Sequence, residues 1–305
     1  VRLFPQTSTA RGPLLPVLLA LAALTATLLP LAALAPQPAP AAAAEPRRSG
    51  CVEASGPFHV GTTTVTVRSR GRDLPATVAY PATSDGVGAT PVCRVSPLVL
   101  AGHGSGGDGA SAAALHGYLV EAGYVVAAPT FPGGFDIAGY AKDVRRTLTT
   151  VRAVSDRSGG LLSGRVRQGG PVGYIGTSMG AIVGLALVDS EQRDGRIRAV
   201  VAKAGTSFDP TFRPVGGPPL LMLNGDADSV IPYAGARETY QQARRTKGLI
   251  TLSGVGHDLD TGGDPVLRTT STAFLDRFLR DRDHALGRLQ RIVSDSEVAS
   301  LRKRW

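Results

Sequence analysis

From Gly56 onward the chain switches repeatedly between two hydrophobic periods. Thr62–Arg68 (TTTVTVR) and Leu74–Tyr80 alternate apolar and polar residues one by one, the period of a strand with one covered face. Arg70-Gly71-Arg72-Asp73 between them supplies turn residues, so the pair predicts a hairpin. Pro97–Ala101, Tyr124–Ala128, Pro171–Ile175, Ile197–Ala202, Pro219–Leu223 and Leu249–Leu252 are short, continuous apolar runs, the pattern of strands covered on both faces. Between them lie segments of helical period. Ala110–Ala122 is one, closed by Gly123. Asp136–Asp156 is another, with Ala141, Val144, Leu148, Val151 and Val154 on one side. Ser178–Asp189, Tyr233–Thr246 and Pro265–Arg280 follow, the last with proline at its first position.

This alternation predicts an α/β fold of about eight strands. The first two are antiparallel, and the others are joined through helices into a mostly parallel sheet with helices on both faces. Ser158–Gly170 is a glycine-rich surface connection, and no insertion is large enough for a lid domain. Four segments result. Residues 1–44 read as a signal peptide: Arg2 and Arg11 precede an apolar run from Leu14 to Ala35, and small residues end at Ala42-Ala43-Ala44. Pro16 and Pro30 interrupt that run, so cleavage is expected over a retained bilayer span. Residues 45–55 form an arm, 56–280 the main domain, and 281–305 a charged tail or helix.

Composition adds three constraints. Hydrophobic residues at 43% against 19% charged support a packed core and exclude disorder for most of the length. A net charge of +9 allows adhesion to anionic surfaces. No basic run is interleaved with aromatics, so nucleic acid is not an expected partner. The two cysteines, Cys51 and Cys93, predict a disulfide in an exported chain. Closing a loop of about 40 residues would stabilise the fold by roughly 3–4 kcal/mol. Neither cysteine sits in a ligand-spaced cluster, so no metal is expected. A secreted monomer is the simplest reading.

The candidate chemistry centres on Gly176-Thr177-Ser178-Met179-Gly180. With 38 glycines in the chain a bare G-x-S-x-G means little; its position after a buried strand and at the head of a helix gives it weight. That strand–turn–helix geometry pushes a serine hydroxyl out over the sheet edge, and the helix N-terminus favours developing negative charge. Serine needs an adjacent base. Of His59, His103, His116, His257 and His284, only His257 lies in a loop directly after the last parallel strand. His116 reads as an exposed helix residue, and His284 as exposed beyond the last helix. The acid should follow the preceding strand, where Asp226 and Asp228 compete. Asp228 is preferred because it opens Asp228-Ser229-Val230-Ile231-Pro232, and Asp226 is expected to shape the turn. Gly102-His103-Gly104-Ser105-Gly106-Gly107-Asp108 ends an earlier strand. Backbone N–H groups there, from Ser105 or the neighbouring Gly104, together with that of Met179, are the candidate oxyanion donors. His103 is expected to support this loop.

With these parts in order the chain resembles the α/β-hydrolase superfamily, and within it the dienelactone-hydrolase-like, bacterial cutinase-like and platelet-activating-factor acetylhydrolase-like branch. The resemblance covers roughly residues 56–280. It rests on His103-Gly104-Ser105-Gly106-Gly107, Gly176-Thr177-Ser178-Met179-Gly180, Asp228-Ser229-Val230-Ile231-Pro232 and Gly256-His257. It implies carboxylic-ester hydrolysis without cofactor or metal, on a small-molecule, lipid or polyester substrate. Two departures narrow it. Dienelactone hydrolases proper carry cysteine where this chain has Ser178. Bacterial cutinases usually have histidine before the serine and Gly-Gly after Ser-Met, where this chain has Thr177 and Gly180-Ala181. Acyl transfer with the same three residues, and a non-catalytic binding protein on the same fold, are the alternatives. Phe131, Phe135, Phe208 and Tyr233 are expected near strand ends, as pocket or core.

Overall fold

The computed structural model describes residues 50–305 except 190, 213, 215, 245 and 260–264. The expected signal peptide, 1–44, lies outside the described residues. The hairpin β1 (His59–Ser69) and β2 (Arg72–Ala82) pairs His59 with Ala82 through to Ser69 with Arg72. Arg70 and Gly71 both have positive φ, 51° and 77°, as a two-residue hairpin turn of matching twist requires. Arg70 is held in that conformation through its guanidinium, which reaches buried Asp143 at 2.8 Å and also Asp136. A two-residue strand, β3 (Gly86–Val87), adds in parallel to β1.

The rest alternates. In order come β4 (Leu98–Gly102), α1 (Gly109–Leu115), α2 (Gly117–Glu121), β5 (Val125–Pro129), α3 (Ile137–Asp156), β6 (Val172–Thr177), α4 (Met179–Val188), β7 (Ile197–Lys203), β8 (Leu220–Gly225), α5 (Tyr233–Gln242), β9 (Lys247–Leu252), α6 (Pro265–Leu279), α7 (Ala285–Ser294) and β10 (Ala299–Arg304). Among the described residues the sheet has ten strands in the order β10-β9-β8-β7-β6-β4-β5-β2-β1-β3. The six strands from β9 to β5 are parallel, and antiparallel β10 and β2 flank them. Helices α3, α4 and α5 cover one face around Tyr140, Leu148, Val183 and Ala236; α1, α2, α6 and α7 cover the other around Leu119, Phe274 and Leu289. The chain leaves β4 for β5 on one side and then crosses to β6 on the other. That reversal falls at the carboxyl ends of β4 and β6, the edge where this class of sheet places its ligands. Among the described residues no helix is long and apolar enough to cross a membrane.

The structure departs from the sequence reading at three points. The charged segment 281–305 carries α7 and then β10, which completes the sheet beside β9. Ala299, Leu301 and Trp305 alternate onto the α6–α7 core, but the intervening charges hide that period. Second, the helix expected over 110–122 breaks at His116, whose backbone (φ −105°, ψ 17°) redirects α2. His116 is therefore fully buried, edge-on to Tyr118, and not exposed as expected; burial pushes its imidazole pKa well below the usual value. Third, β3 is too short to show any period.

Cys51 and Cys93 form a disulfide, with Cα atoms 5.0 Å apart, beside a parallel bridge of Val52 to Val92. The closed loop spans 42 residues. A Cys51→Ser, Cys93→Ser double variant is expected to lose about 4 kcal/mol of unfolding free energy in a urea titration. A loss under about 1 kcal/mol would show that the bridge does not constrain the unfolded chain.

Candidate active site

Ser178 sits between β6 and α4 at φ 55°, ψ −118°, a conformation a serine adopts only when its surroundings enforce it. Its N–H donates to the Lys203 carbonyl at 2.9 Å, and Ile182 N–H donates to its carbonyl at 3.1 Å, so the turn is clamped on both sides. Glycine is required on either flank. A Cβ on Gly176 would meet the Gly180 carbonyl, and a Cβ on Gly180 would run into the Gly102 carbonyl. Tyr174, fully buried on β6, donates its hydroxyl to the Gly180 carbonyl at 2.7 Å. Burial raises the phenol's pKa, so this donor stays protonated. The serine is thus clamped at the carboxyl end of β6.

The other two side chains arrive from neighbouring strands. The loop after β8 and the loop after β9 continue the pairing of their strands: Asp226 N–H donates to the Leu252 carbonyl, and Ala227 N–H to that of Val255. The Asp226 carboxylate accepts from Gly254 N–H at 2.7 Å. Asp226 therefore staples the two loops, the turn-shaping role expected of it. Asp228 is buried. Its Oδ1 accepts from Val230 and Ile231 N–H at 2.9 and 2.8 Å, and its Oδ2 lies 2.8 Å from His257 Nδ1. A carboxylate can only accept, so Nδ1 carries the proton and Nε2 is left as the acceptor. Nε2 lies 2.9 Å from Ser178 Oγ. Ser178, His257 and Asp228, separated by 79 and 29 residues in sequence, thereby form one chain of two hydrogen bonds. The imidazole is only partly covered, whereas the carboxylate is fully enclosed, as an orienting group beneath a reactive one would be.

The loop after β4 closes the site from the other side. Gly104 accepts from Gly107 N–H, with Gly106 at φ 76°, which makes a tight turn with exposed Ser105 at its first corner. A Cβ on Gly104 would stand 3.5 Å from Ser178 Cβ, so the backbone passes directly beside the serine. Met179 is the first residue of α4, and its N–H is one of those a helix leaves unpaired. Buried His103 donates Nδ1–H to the Gly104 carbonyl at 2.7 Å and accepts Phe131 N–H on Nε2 at 2.8 Å. With both nitrogens committed it ties the loops after β4 and β5 together and is not free to act as a base. Asp108 caps α1 through Ser111; that N–H, and then the Ser111 hydroxyl, hold its carboxyl below the usual range. The remaining histidines lie elsewhere: exposed His59 contacts Asp85, and exposed His284 precedes α7.

Of the four aromatics, Phe131 belongs to the core, stacked on Tyr140 at 4.8 Å. Tyr233 hydrogen-bonds Thr251. Phe135 and Phe208 are each 61% exposed and meet edge-to-face at 6.1 Å. They border an apolar cavity of about 230 Å³ with Ile137, Ile182 and Phe212. Neither Ser178 nor His257 lines it; Ile182 places its wall one helical turn beyond the serine.

Compared with known proteins, residues 35–297 match a family model described as "PETase: PET hydrolase-like". Among curated proteins no significant match is found.

Proposed function

The chain belongs to the PET hydrolase-like family of carboxylic ester hydrolases with the α/β-hydrolase fold, and from that premise we propose that it is a secreted serine esterase acting through an acyl-enzyme on Ser178. His257 Nε2 takes the hydroxyl proton as Ser178 Oγ attacks the ester carbonyl, and Asp228 holds the imidazole in the required tautomer and stabilises the imidazolium. The N–H groups of Met179 and Ser105 receive the oxyanion. The imidazolium then protonates the leaving alcohol. Water, deprotonated by the same imidazole, releases the acid and restores the serine. No step calls on a metal or an organic cofactor. The apolar cavity beside α4 offers room for a hydrophobic part of the substrate.

The observation that carries this reading is the unbroken pair of hydrogen bonds from Asp228 through His257 to a serine held at positive φ. Export is supported by the leader-like composition of residues 1–44 and by the Cys51–Cys93 bridge. The test is stoichiometric labelling with a fluorophosphonate, read by peptide mass spectrometry. One adduct per chain, on Ser178, with loss of aryl-ester turnover in proportion to labelling, is expected. Labelling elsewhere, or turnover that survives full labelling of Ser178, would overturn the assignment.

A further inference from the structure

Several arginines of this chain answer to a carboxylate. Buried Asp276 receives Arg280, Arg282 and Arg288 at 3.0–3.1 Å; Asp143 receives Arg70 and Arg72; Asp194 receives Arg196. A different arrangement occurs where the end of α5, the start of β9 and the end of β10 meet. Arg304 pairs with Lys247 across the β9–β10 ladder and Arg302 with Leu249. Alternate strand residues share a face, so Arg302 and Arg304 lie together on one side and Leu301 packs on the other. Arg244 lies two residues past the end of α5, after Ala243. Among the described residues, none of Arg244, Lys247, Arg302 and Arg304 forms an ion pair with a carboxylate.

These groups border an open crevice of about 610 Å³ lined by Gln241, Gln242, Ala243, Arg244, Lys247 and Arg304. Its lining side chains offer guanidinium, ammonium and carboxamide donors and no carboxylate. Lys247 is anchored: its ammonium donates to the carbonyls of Tyr240, Gln241 and Ala243 and lies 4.4 Å from the Tyr240 ring centroid. Its charge is therefore a fixed part of the wall. Burial, and then the nearby Arg304 charge, lower the Lys247 pKa. Burial raises the Tyr240 phenol, while Arg302 and Arg304 act against that rise.

We propose that this crevice is a binding site for a phosphoryl group. Among the described residues the exposed Arg244 and Arg304 have no carboxylate partner, and two such cations beside the anchored Lys247 match a group carrying about −1.5 to −2 at neutral pH better than a single carboxylate. Two exposed guanidinium groups can each grip phosphate oxygens in bidentate fashion. The site lies at the amino end of β9, whereas Asp228 and His257 follow the carboxyl ends of β8 and β9. Six residues of strand separate the two edges by about 20 Å. Phosphoryl binding here does not touch the Ser178 site and is independent of the esterase mechanism.

The chain carries its own reporter. Trp305, its one tryptophan, follows Arg304 and packs so closely on Gly248 that a Cβ there would lie 2.6 Å from the ring. The experiment titrates the full chain with inorganic pyrophosphate at constant ionic strength, following Trp305 fluorescence. In parallel it measures co-sedimentation with phosphatidylglycerol vesicles against phosphatidylcholine vesicles. A saturable fluorescence change with pyrophosphate alone assigns the site to free phosphoryl compounds. Retention on phosphatidylglycerol alone assigns it to lipid headgroups, and both together show that either source is accepted. Arg244→Gln with Arg304→Gln is expected to weaken the response at least ten-fold with an unchanged thermal melt. Arg304→Glu alone, at an exposed strand position, gives a second route to the same loss. No saturable response to either probe, or equal affinity in the variants, would overturn the proposal and leave these charges as guards of an edge strand.

Discussion

Replacing Ser178 with alanine is expected to lower turnover of a short-chain aryl ester by on the order of 10⁴–10⁶-fold. In the proposed mechanism this hydroxyl is the group that bonds to the substrate, and it is held 2.9 Å from the His257 Nε2 base. His257 Nε2 would face a methyl group, and a water activated by that imidazole would lack the fixed position that the turn at φ 55° gives to Oγ. The fold should be indifferent to the change, because Oγ has His257 as its hydrogen-bond partner and the turn is held by backbone bonds to Lys203 and Ile182. Initial rates of phenolate release, with thermal melts of both proteins, check this. A variant that melts normally and keeps more than about one-hundredth of the activity would remove Ser178 from the chemistry.

The second large effect is expected at Asp228→Asn, a loss of about 10³–10⁴-fold in turnover with little change in KM. Asparagine is nearly isosteric, and its carbonyl can still accept from Val230 and Ile231 N–H. Its amide would then point at His257 Nδ1 as a donor. That forces the proton onto Nε2, the nitrogen that accepts from Ser178 in the proposed mechanism. Asp226→Asn is the control. That side chain accepts from Gly254 N–H and does not reach the imidazole, so activity should fall only a few-fold. Equal losses at both positions would show that loop integrity, and not the tautomer of His257, is what Asp228 supplies.

How much of this was readable beforehand depended on whether a feature is local. The strand, turn and helix around Ser178 are local. A buried run, two glycines that no side chain could replace and an apolar helix announce themselves in fewer than twenty residues, and the structure has β6 and α4 where the pattern puts them. Asp228 was separable from Asp226 by its distance to the following proline, and the structure brings Asp228 to His257 while Asp226 bonds Gly254. What the sequence hid was decided by tertiary contact. His116 looks like any polar residue on a helix until the break between α1 and α2 turns it inward. β10 reads as a tail because three consecutive basic residues mask the period of Ala299, Leu301 and Trp305, and only pairing with β9 makes it a strand. Phe131 and Phe135 sit four residues apart in the same loop. One is buried against Tyr140 and the other stands exposed against Phe208, a difference no local pattern encodes.

The most direct measurement is intact-mass and peptide mapping of the enzyme quenched in acid during turnover of a slowly deacylating aryl ester. The mechanism predicts a transient mass increase equal to one acyl group, carried by the peptide that contains Ser178, which decays at the rate at which free acid appears. Steady ester cleavage with no acyl group on Ser178 at any time, in a quench fast enough to capture it, would contradict covalent catalysis at this serine.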